Sequence, residues 1–290
     1  MSTKSIKSVK IILFFLCIAL LALSLSRIVK DNTVFKSEGY LEVHFFDIGK
    51  ADSILLINSG ETMLIDAGDT NAKDIIIPYI KNMGIKKLDT VIFTHPHKDH
   101  IGSADSVIKS FEIGQIYMSG ITHTTRAFEK LLDAIDEKGK DIIIPDIGDK
   151  IKFGNCDVTV LAPMREYDNI NDNSIVLMLK YQDTKFLFTG DIERASERDL
   201  VDAGADLKAD VLKVAHHGSS SSSKKYFLDE VKPKYAVISC GQDMNNESKN
   251  PGKKVLESLK SIGAEVFRTD EMGTIVIKSD GKKISFDKKP

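Results

Sequence analysis

Cysteine is scarce in this chain of 290 residues, which contains three. Cys17 lies in an apolar run near the N-terminus, so only Cys156 and Cys240 remain for the rest of the chain. Two cysteines are too few for a disulfide framework, and they lack the C-x-x-C spacing of a structural zinc site. With 42% hydrophobic residues the chain is long enough to bury a substantial core, which excludes a disulfide miniprotein and a disordered tail.

Long runs of like charge are also absent, and the charge is unevenly divided along the chain. Residues 1–30 hold five of the 40 basic residues and no acidic residue, which leaves 35 basic and 42 acidic residues in 31–290, a net charge of −7. A protein held on nucleic acid by broad phosphate contacts usually carries a basic stripe. We therefore expect any polyanionic substrate to be attracted locally, for instance by bound metal.

One segment departs from an ordinary globular composition. Residues 11–26 are uncharged and mostly apolar, and their length lies between that of a signal-peptide core and the roughly 20 residues that span a bilayer. The flanking charges are Lys4, Lys7 and Lys10 on one side and Arg27 on the other. By the positive-inside rule the rest of the chain is expected outside the cytoplasmic membrane. Residues 1–30 are a signal peptide cleaved near Ser24 or Ser26, or an uncleaved anchor, which we slightly favour.

After a short polar linker at 31–39, the pattern predicts one α/β domain over residues 40–290. Apolar runs of strand length alternate with stretches of helix length. The predicted helices cover 72–83, 102–111, 124–138, 193–203, 223–231 and 251–262, and glycines typical of left-handed C-caps follow four of them, namely Gly84, Gly139, Gly204 and Gly263. The first three strands and the last hairpin follow one another without helices, so the sheets are not purely parallel. Such mixed sheets, covered by helices on their outer faces, form a layered sandwich.

Five of the seven histidines fall in two clusters. The first cluster, His95-Pro-His97-Lys-Asp99-His100, follows a predicted strand. Burying so many polar groups together is costly unless something coordinates them. Imidazole and carboxylate ligands without thiolate suit Zn²⁺, Mn²⁺ or Fe²⁺, so this segment predicts a metal site. The isolated His44 and His123 are interpreted as structural residues.

The order of several motifs resembles the metallo-β-lactamase superfamily. HPHKDH follows a strand, with LIDAG before it and FLFTGD after it. Further segments resemble the C-terminal hydrolase domain of the ComEC-type DNA-uptake (competence) proteins: VHFFDIGKADSILL, NDNSIVLMLKY, VLKVAHHGSS, YAVISCG and FRTDEMGTI. The resemblance covers nearly all of residues 40–290. It implies a four-layered αββα sandwich with two divalent metal ions, Zn²⁺ or Mn²⁺.

The resemblance also implies roles for single residues. The implied metal ligands are His95, His97, Asp99, His100, Asp191 and His216. Asp191 would bridge the two ions, and Asp99, Asp191 and His217 would form the catalytic centre. Neighbouring residues of a strand face opposite ways, so we expect only one of His216 and His217 to bind metal and favour His216, with His217 as a substrate or supporting contact. Asp66 either braces the histidine loop or forms a turn, and Asp47 is explained almost as well by turn chemistry.

Two positions depart from the family pattern. Where most members supply a further histidine, this chain has the segment 171–174, and Asp172 or Asn173 is expected to complete the metal shell and to favour Mn²⁺. Asn250 stands where the subgroup commonly has a histidine, which predicts altered specificity or lower activity. The serine run that begins at Ser219 is interpreted as a polar loop beside the site, able to hold a phosphate.

These observations predict an extracytoplasmic metal-dependent hydrolase. We expect a dinuclear phosphodiesterase that uses a metal-bridging water on DNA or a wall polymer. With one hydrophobic segment the chain is not expected to form a DNA channel itself, so a separate DNA-uptake channel protein is an expected partner. The alternatives are a lactamase or lactonase on the same fold and a membrane-tethered binding protein with a degenerate site.

Overall fold

The computed structural model describes residues 39–241 and 251–287. The predicted signal or anchor at 1–30, all but the last residue of the linker, and Asn250 lie outside these residues. Within them, no helix is both long and apolar enough to cross a membrane. Both Cys156 and Cys240 are free thiols.

The described chain contains fifteen strands in two sheets. The strands of the first sheet are β1 (Leu41–Phe45), β2 (Ile54–Asn58), β3 (Glu61–Ile65), β4 (Lys87–Phe93), β5 (Glu112–Met118), β6 (Ile142–Ile143), β14 (Ile275–Ser279) and β15 (Ile284–Asp287). Their spatial order is β15-β14-β1-β2-β3-β4-β5-β6. The strands from β15 to β3 pair antiparallel, as expected for consecutive hairpins, and those from β3 to β6 pair parallel. The first sheet is therefore mixed.

The second sheet follows the same plan. Its strands are β7 (Lys150–Phe153), β8 (Cys156–Ala162), β9 (Val176–Tyr181), β10 (Thr184–Phe188), β11 (Val211–Lys213), β12 (Tyr235–Ile238) and β13 (Glu265–Arg268). They lie in sequence order, antiparallel from β7 to β10 and parallel from β10 to β13. Each sheet thus changes from antiparallel to parallel pairing near its middle.

The described helices lie between the parallel strands or close to them. They are α1 (Lys73–Asn82), α2 (Lys98–Ile101), α3 (Ala104–Ser110), α4 (Arg126–Glu137), α5 (Arg194–Asp202), α6 (Lys225–Val231), α7 (Lys253–Ser261) and α8 (Thr269–Met272). Helices α3 and α4 contact each other, and α3 also contacts β5 of the first sheet. Helices α5 and α6 contact each other as well, on the side of the second sheet. The arrangement is helix, sheet, sheet, helix.

Alternation along the strands builds the two apolar layers of the second sheet. In β9, Leu177 and Leu179 face the first sheet, where they join a cluster that includes Phe45 of β1. The intervening Met178 faces the other way and packs with Leu200 of α5. Since side chains alternate between the faces of a strand, continuous apolar runs predict strands covered on both sides.

All six helices predicted from the sequence are confirmed, with each end within two residues of its predicted position. The four glycines expected at C-caps have φ between 60° and 80°, in the left-handed region. Four short elements were not predicted, namely β7, β15 as a bounded strand, and the single-turn helices α2 and α8. Each consists of only four residues, which is too short for a reliable periodicity, and β7 lies at a sheet edge.

The packing between the sheets predicts the effect of a core truncation. Phe188 of β10 is 2% exposed and its ring stacks on Phe45 of the opposite sheet at 6.3 Å between centroids. We expect Phe188→Ala to lower the free energy of unfolding by about 3–5 kcal/mol, because the buried ring leaves a cavity. Urea denaturation of the full chain measures this, with the partly exposed Leu132→Ala as a control. A loss below about 1 kcal/mol would contradict this packing.

Candidate metal centre

The histidine and aspartate side chains meet where parallel strands of both sheets end. Asp66 follows β3, and the segment from His95 to His100 follows the adjacent parallel strand β4. In the second sheet Asp191 follows β10, and the His216-His217 pair follows the adjacent parallel strand β11. Parallel neighbours end at the same edge of a sheet, which brings these four segments together.

Asp66 holds the histidine segment in place. Its Oδ1 accepts a hydrogen bond from the Thr94 backbone N–H at 2.8 Å, and its Oδ2 accepts from Thr94 Oγ1 at 2.7 Å. The same Oδ2 lies 2.8 Å from Nδ1 of His100. Burial raises the pKa of Asp66, and His100 opposes that shift. These contacts match the bracing role that the sequence left as one of two alternatives.

Four side chains bring potential ligand atoms within 4.8 Å of one another: Asp99, His100, Asp191 and His217. Nε2 of His100 lies 3.2 Å from Asp191 Oδ2. Nε2 of His217 lies 3.3 Å from Asp99 Oδ2 and 3.6 Å from Asp191 Oδ2. All except Asp99 are almost completely buried. We call these four residues the aspartate–histidine cluster.

Hydrogen bonds at Nδ1 fix which ring nitrogen faces this cluster. Nδ1 of His217 lies 3.0 Å from the backbone oxygen of Ser239, a group that only accepts, so the proton of a neutral His217 ring is on Nδ1. His100 is held in the same way through Asp66. Both rings therefore direct Nε2 towards Asp191. An imidazole anchored through one nitrogen and open at the other is the usual arrangement of a metal-binding histidine.

The electrostatics of the cluster also fit a cation. Asp191 Oδ1 is a buried atom without a hydrogen-bond partner among the described residues. Burial lowers the pKa of His100, but Asp191 and Asp66 outweigh it and raise this pKa well above its ordinary value. Burial would raise the pKa of Asp191, and His100 together with His217 holds it well below its usual range. A bound cation would compensate the same carboxylates, so these residues fit a divalent metal ion.

His95 and His97 lie beside the cluster. His95 is buried, its ring centroid is 4.1 Å from that of His100, and its Nε2 lies 3.0 Å from Nδ1 of His97. Burial lowers the pKa of both rings, His95 well below its ordinary value, which favours their neutral, metal-binding form. The structure thus places two further imidazole nitrogens next to the first four candidate ligands.

The turn that carries Asp191 depends on a glycine. Gly190 has a φ of 50°, and a Cβ at this position would lie 2.8 Å from Cβ of Ser174 and 3.2 Å from Cβ of Thr94. A larger residue would therefore push the aspartate away from the histidine segment. The backbone N–H of Asp191 donates to Ser174 Oγ at 3.1 Å, which fixes the turn from the other side.

The two adjacent histidines are placed differently from the expectation. His217 belongs to the aspartate–histidine cluster, whereas His216 lies at its border, with Nδ1 3.0 Å from Glu193 Oε1 and Nε2 3.9 Å from Asp191 Oδ2. The expectation relied on strand alternation, but β11 ends at Lys213 and both histidines have a φ of 52°. The geometry therefore favours His217 over His216 as the ligand.

Asp172 and Asn173 do not face the candidate ligands, contrary to the expectation. Asp172 Oδ1 accepts hydrogen bonds from the backbone N–H groups of Glu193 and Ser196 at 2.8 and 3.0 Å, so it caps the start of α5. The Asn173 side chain is bonded to the backbone of Tyr167 through both its oxygen and its nitrogen. Both residues brace the loop because short polar side chains readily satisfy nearby backbone groups.

Two residues that the sequence analysis did not single out lie at the site instead. Asn171 Nδ2 donates to Glu193 Oε1 at 3.1 Å, and its side chain also reaches His97. Asn171 Oδ1 is buried without a partner among the described residues. Glu193 in turn contacts His216. The only sequence signal for Glu193 is its position two residues after Asp191.

A buried ion pair supports the far side of the cluster. Nζ of Lys213 contacts Oδ2 of Asp52, and both side chains are about 2% exposed or less. Asp52 Oδ1 lies 3.7 Å from His217 Nδ1, and the Asp52 backbone N–H donates to Asp99 O at 3.1 Å. Asp52 therefore links the first hairpin to residues of both sheets. Asp47 lies earlier in the same segment, and its backbone N–H donates to Thr274 Oγ1.

The remaining histidines lie apart from the cluster. His44 is buried and its Nδ1 lies 2.9 Å from the Tyr79 hydroxyl, as expected of a structural residue. His123 was also interpreted as structural, but its ring centroid is 6.1 Å from that of His97. It stands in the loop between β5 and α4, close to the candidate ligands.

The serine loop lies beside His216. Ser219 Oγ is 2.9 Å from Ser221 Oγ, and Ser221 Oγ is 3.2 Å from His216 Nδ1. The loop is tied to α5 by Glu197, which is fully buried and accepts hydrogen bonds from the backbone N–H groups of Ser223 and Lys224. The side chain of Ser221 therefore contacts the His216 ring, whereas Ser219 contacts His216 through its backbone N–H, which donates to the His216 backbone oxygen at 2.7 Å.

Fold and site together define a metal-dependent hydrolase. The chain belongs to the metallo-beta-lactamase superfamily, whose family model matches residues 47–242. Among solved structures it is similar to the metallo-beta-lactamase fold protein YhfI from Bacillus subtilis, with a TM-score of 0.55 and 13% identity over 82% of this chain and 100% of that one. At this identity the likeness concerns the fold alone.

Curated relatives narrow the assignment of the chain within this superfamily. The chain is 33% identical to ComE operon protein 3 of Bacillus subtilis (strain 168) over an alignment of 258 residues, which covers 82% of this chain and 33% of that protein. It is 30% identical to competence protein ComA of Neisseria gonorrhoeae, over 82% of this chain and 32% of that protein. The chain thus spans about a third of the length of these relatives. The resemblance to ComEC-type competence proteins is confirmed.

The histidine pair gives a test of the ligand assignment. We expect His217→Ala to weaken metal binding by about 100-fold or more, because even a residue that only orients a ligand costs 10–100-fold. His216→Ala is expected to retain most of the metal. Plasma mass spectrometry of dialysed protein and the rise in melting temperature on adding Mn²⁺ or Zn²⁺ measure both. Equal losses in the two variants, or a greater loss in His216→Ala, would contradict the assignment.

The buried carboxyl of Glu197 predicts a pH dependence. Burial raises the pKa of Glu197 from its ordinary 4.5 to about 8. The folded state therefore holds a proton that the unfolded state has lost, and the stability contributed by this group falls as pH rises between these two values. We expect the stability of wild type relative to Glu197→Gln to fall by at least about 1.4 kcal/mol between pH 5 and 8, the equivalent of one pKa unit.

Urea denaturation at both pH values measures this difference, and the exposed Glu129→Gln serves as the control. A stability difference between wild type and Glu197→Gln that does not change with pH would show that Glu197 is already ionised at pH 5.

Proposed function

We propose that this protein is an extracytoplasmic, metal-dependent phosphodiesterase that holds two divalent ions, Zn²⁺ or Mn²⁺. His95 and His97 would hold one ion, Asp99, His100 and His217 the other, and Asp191 would lie between them. The observation that carries the proposal is the orientation of the buried His100 and His217 rings, which direct Nε2 towards Asp191. Such a centre would polarise the phosphoryl group and lower the pKa of a water molecule.

The chain's own residues prepare this chemistry. Asp66 and Ser239 orient the rings of His100 and His217, so little reorganisation is required when substrate binds. Asp191 Oδ1 is buried and without a partner among the described residues, so its charge is available to a cation. His216 is 22% exposed and its Nε2 lies 3.9 Å from Asp191 Oδ2. It is therefore placed to contact a substrate that enters from solvent.

Three further observations support a phosphodiester substrate outside the cytoplasmic membrane. The candidate ligands are imidazoles and carboxylates without thiolate, which suits hydrolytic Zn²⁺ or Mn²⁺ centres. The curated relatives are competence proteins, which favours DNA, with a wall polymer as the other phosphodiester considered. The apolar run at 11–26 behind three lysines favours export or anchoring. We propose that the passage of DNA across the membrane falls to a separate channel protein.

Turnover with a conservative variant tests the proposal. The full chain loaded with Mn²⁺ or Zn²⁺ is expected to hydrolyse bis-p-nitrophenyl phosphate and DNA. Asp191→Asn is expected to lower kcat by about 100-fold or more, since it removes the negative charge that would hold the ions. The exposed Asp206→Asn, which has the same charge change at the Lys185 ion pair, is expected to retain full activity.

Two results would refute the proposed phosphodiesterase function. Wild type that cleaves neither substrate but hydrolyses nitrocefin or an acyl-homoserine lactone would instead be a lactamase or lactonase. A stable chain with neither metal nor turnover would be a binding protein.

A further inference from the structure

A groove of about 450 Å³ lies beside the candidate metal centre, along the first turns of α5. Its basic residues are Arg165, Arg194 and Arg198, and all three side chains are exposed. Arg194 and Arg198 are four residues apart in one helix, so they lie on the same face with a rise of about 6 Å between them. The domain as a whole is acidic, which makes this local basic surface conspicuous.

The acidic residues of the groove are already paired. Asp199 Oδ2 lies 2.8 Å from Arg165 Nε and accepts a hydrogen bond from the Tyr167 hydroxyl at 2.9 Å. Asp172 accepts two backbone hydrogen bonds, and Glu193 contacts His216. By contrast, neither Arg194 nor Arg198 forms an ion pair with any residue in 39–241 or 251–287. Two guanidinium groups therefore remain available to an anion.

Aromatic rings position the guanidinium groups. Cζ of Arg198 lies 3.8 Å from the ring centroid of Tyr226, and Cζ of Arg165 lies 4.2 Å from that of Tyr167. The Tyr226 hydroxyl also donates to the backbone oxygen of Arg194 at 3.1 Å. A guanidinium stacked on a ring loses less freedom on binding phosphate and keeps its hydrogen-bond donors at the edge.

The groove adjoins the candidate metal centre through Glu193. Glu193 lines the groove and contacts both His216 and Asn171 at the border of the cluster. Asp172, which also lines the groove, caps the helix that begins just after Asp191. A chain molecule with one phosphate at the metal centre would therefore continue towards Arg194 and Arg198.

We infer that this groove binds the backbone phosphates of a single-stranded nucleic acid whose scissile phosphate lies at the metal centre. The inference rests on the proposed phosphodiesterase function and deepens it, because it makes the enzyme selective for a polymer over a small diester. The guanidinium planes favour a nucleic acid over a glycerol phosphate polymer, since unpaired bases stack on arginine as well as on aromatic rings. The small number of cations favours a short contact with one strand.

A double variant of the full chain tests this inference. Arg194→Gln/Arg198→Gln is compared with Lys232→Gln/Lys234→Gln, which removes the same amount of positive charge. The two lysines precede β12, whereas Ser239, which contacts His217, follows the other end of that strand. Lys234 also lies over a tyrosine ring, so the control matches the loss of a cation–ring contact. The readouts are the anisotropy of a labelled oligothymidylate of about 12 nucleotides in EDTA, and turnover of the same oligonucleotide and of bis-p-nitrophenyl phosphate with metal.

We expect the arginine variant to bind the oligonucleotide about tenfold more weakly and to reduce the slope of log affinity against log salt by about 1.4, roughly 0.7 for each lost phosphate contact with a single strand. Its kcat/KM for the oligonucleotide is expected to fall similarly, while turnover of the small diester stays unchanged. Arg194→Lys/Arg198→Lys is expected to restore the salt slope but only part of the affinity, because lysine keeps the positive charge but lacks the paired N–H donors of the planar guanidinium.

Several outcomes would overturn the inference. The arginine variant could behave like the lysine control, or lose turnover of both substrates equally, which would indicate a structural effect. A dependence on the arginines seen with a glycerol phosphate polymer but not with the oligonucleotide would exclude nucleic acid as the occupant. A wild-type chain that cleaves neither the oligonucleotide nor the small diester with either metal would instead refute the proposed function.

Discussion

The fold buries carboxylates where the strands of its two sheets end. The site depends on the neighbouring groups that compensate this negative charge. Asp66 and Asp191 are each 1% exposed, and His100 lies between them, with Nδ1 2.8 Å from one carboxylate and Nε2 3.2 Å from the other. An isolated carboxylate in such a place would be very costly. The hydrogen bonds from Thr94, the glycine at 190 and the buried Lys213 pair all serve to keep these charges next to their partners. The loops at this edge are therefore constrained by electrostatics rather than by apolar packing.

Much of the fold could be predicted because its elements have strong local signals. The six longer helices have an apolar face and in four cases a glycine after the last turn, and the central strands are continuous apolar runs. The elements that were not predicted are those with a weak sequence signal. The strand Lys150–Phe153 lies at a sheet edge and exposes its lysines, and the helix Lys98–Ile101 is a single turn inside the histidine segment.

The site was predictable where one segment contains several donors and much less so where distant segments meet. His95, His97, Asp99 and His100 form a motif that can be recognised directly. The choice between His216 and His217 depended on two left-handed residues that strand alternation cannot anticipate. Asp172 and Asn173 have the right chemistry for ligands, but the nearest unsatisfied backbone groups belong to α5 and to Tyr167. Lys213 lies in an apolar run, and nothing in the sequence indicates its role. Its ion-pair partner Asp52 is distant in the chain and becomes evident only in the tertiary structure.

The candidate ligands are divided between the two sheets, since the histidine segment follows β4 and Asp191 follows β10, about ninety residues later. Contacts between such distant segments form late in folding because loop closure must come first. An ion shared by both sheets would therefore stabilise the native state more than the folding transition state. Its main kinetic effect would be to slow unfolding rather than to speed folding. In the extracytoplasmic location proposed above, where proteases act on unfolded chains, bound metal would thus lengthen the lifetime of the folded chain as well as provide its chemistry.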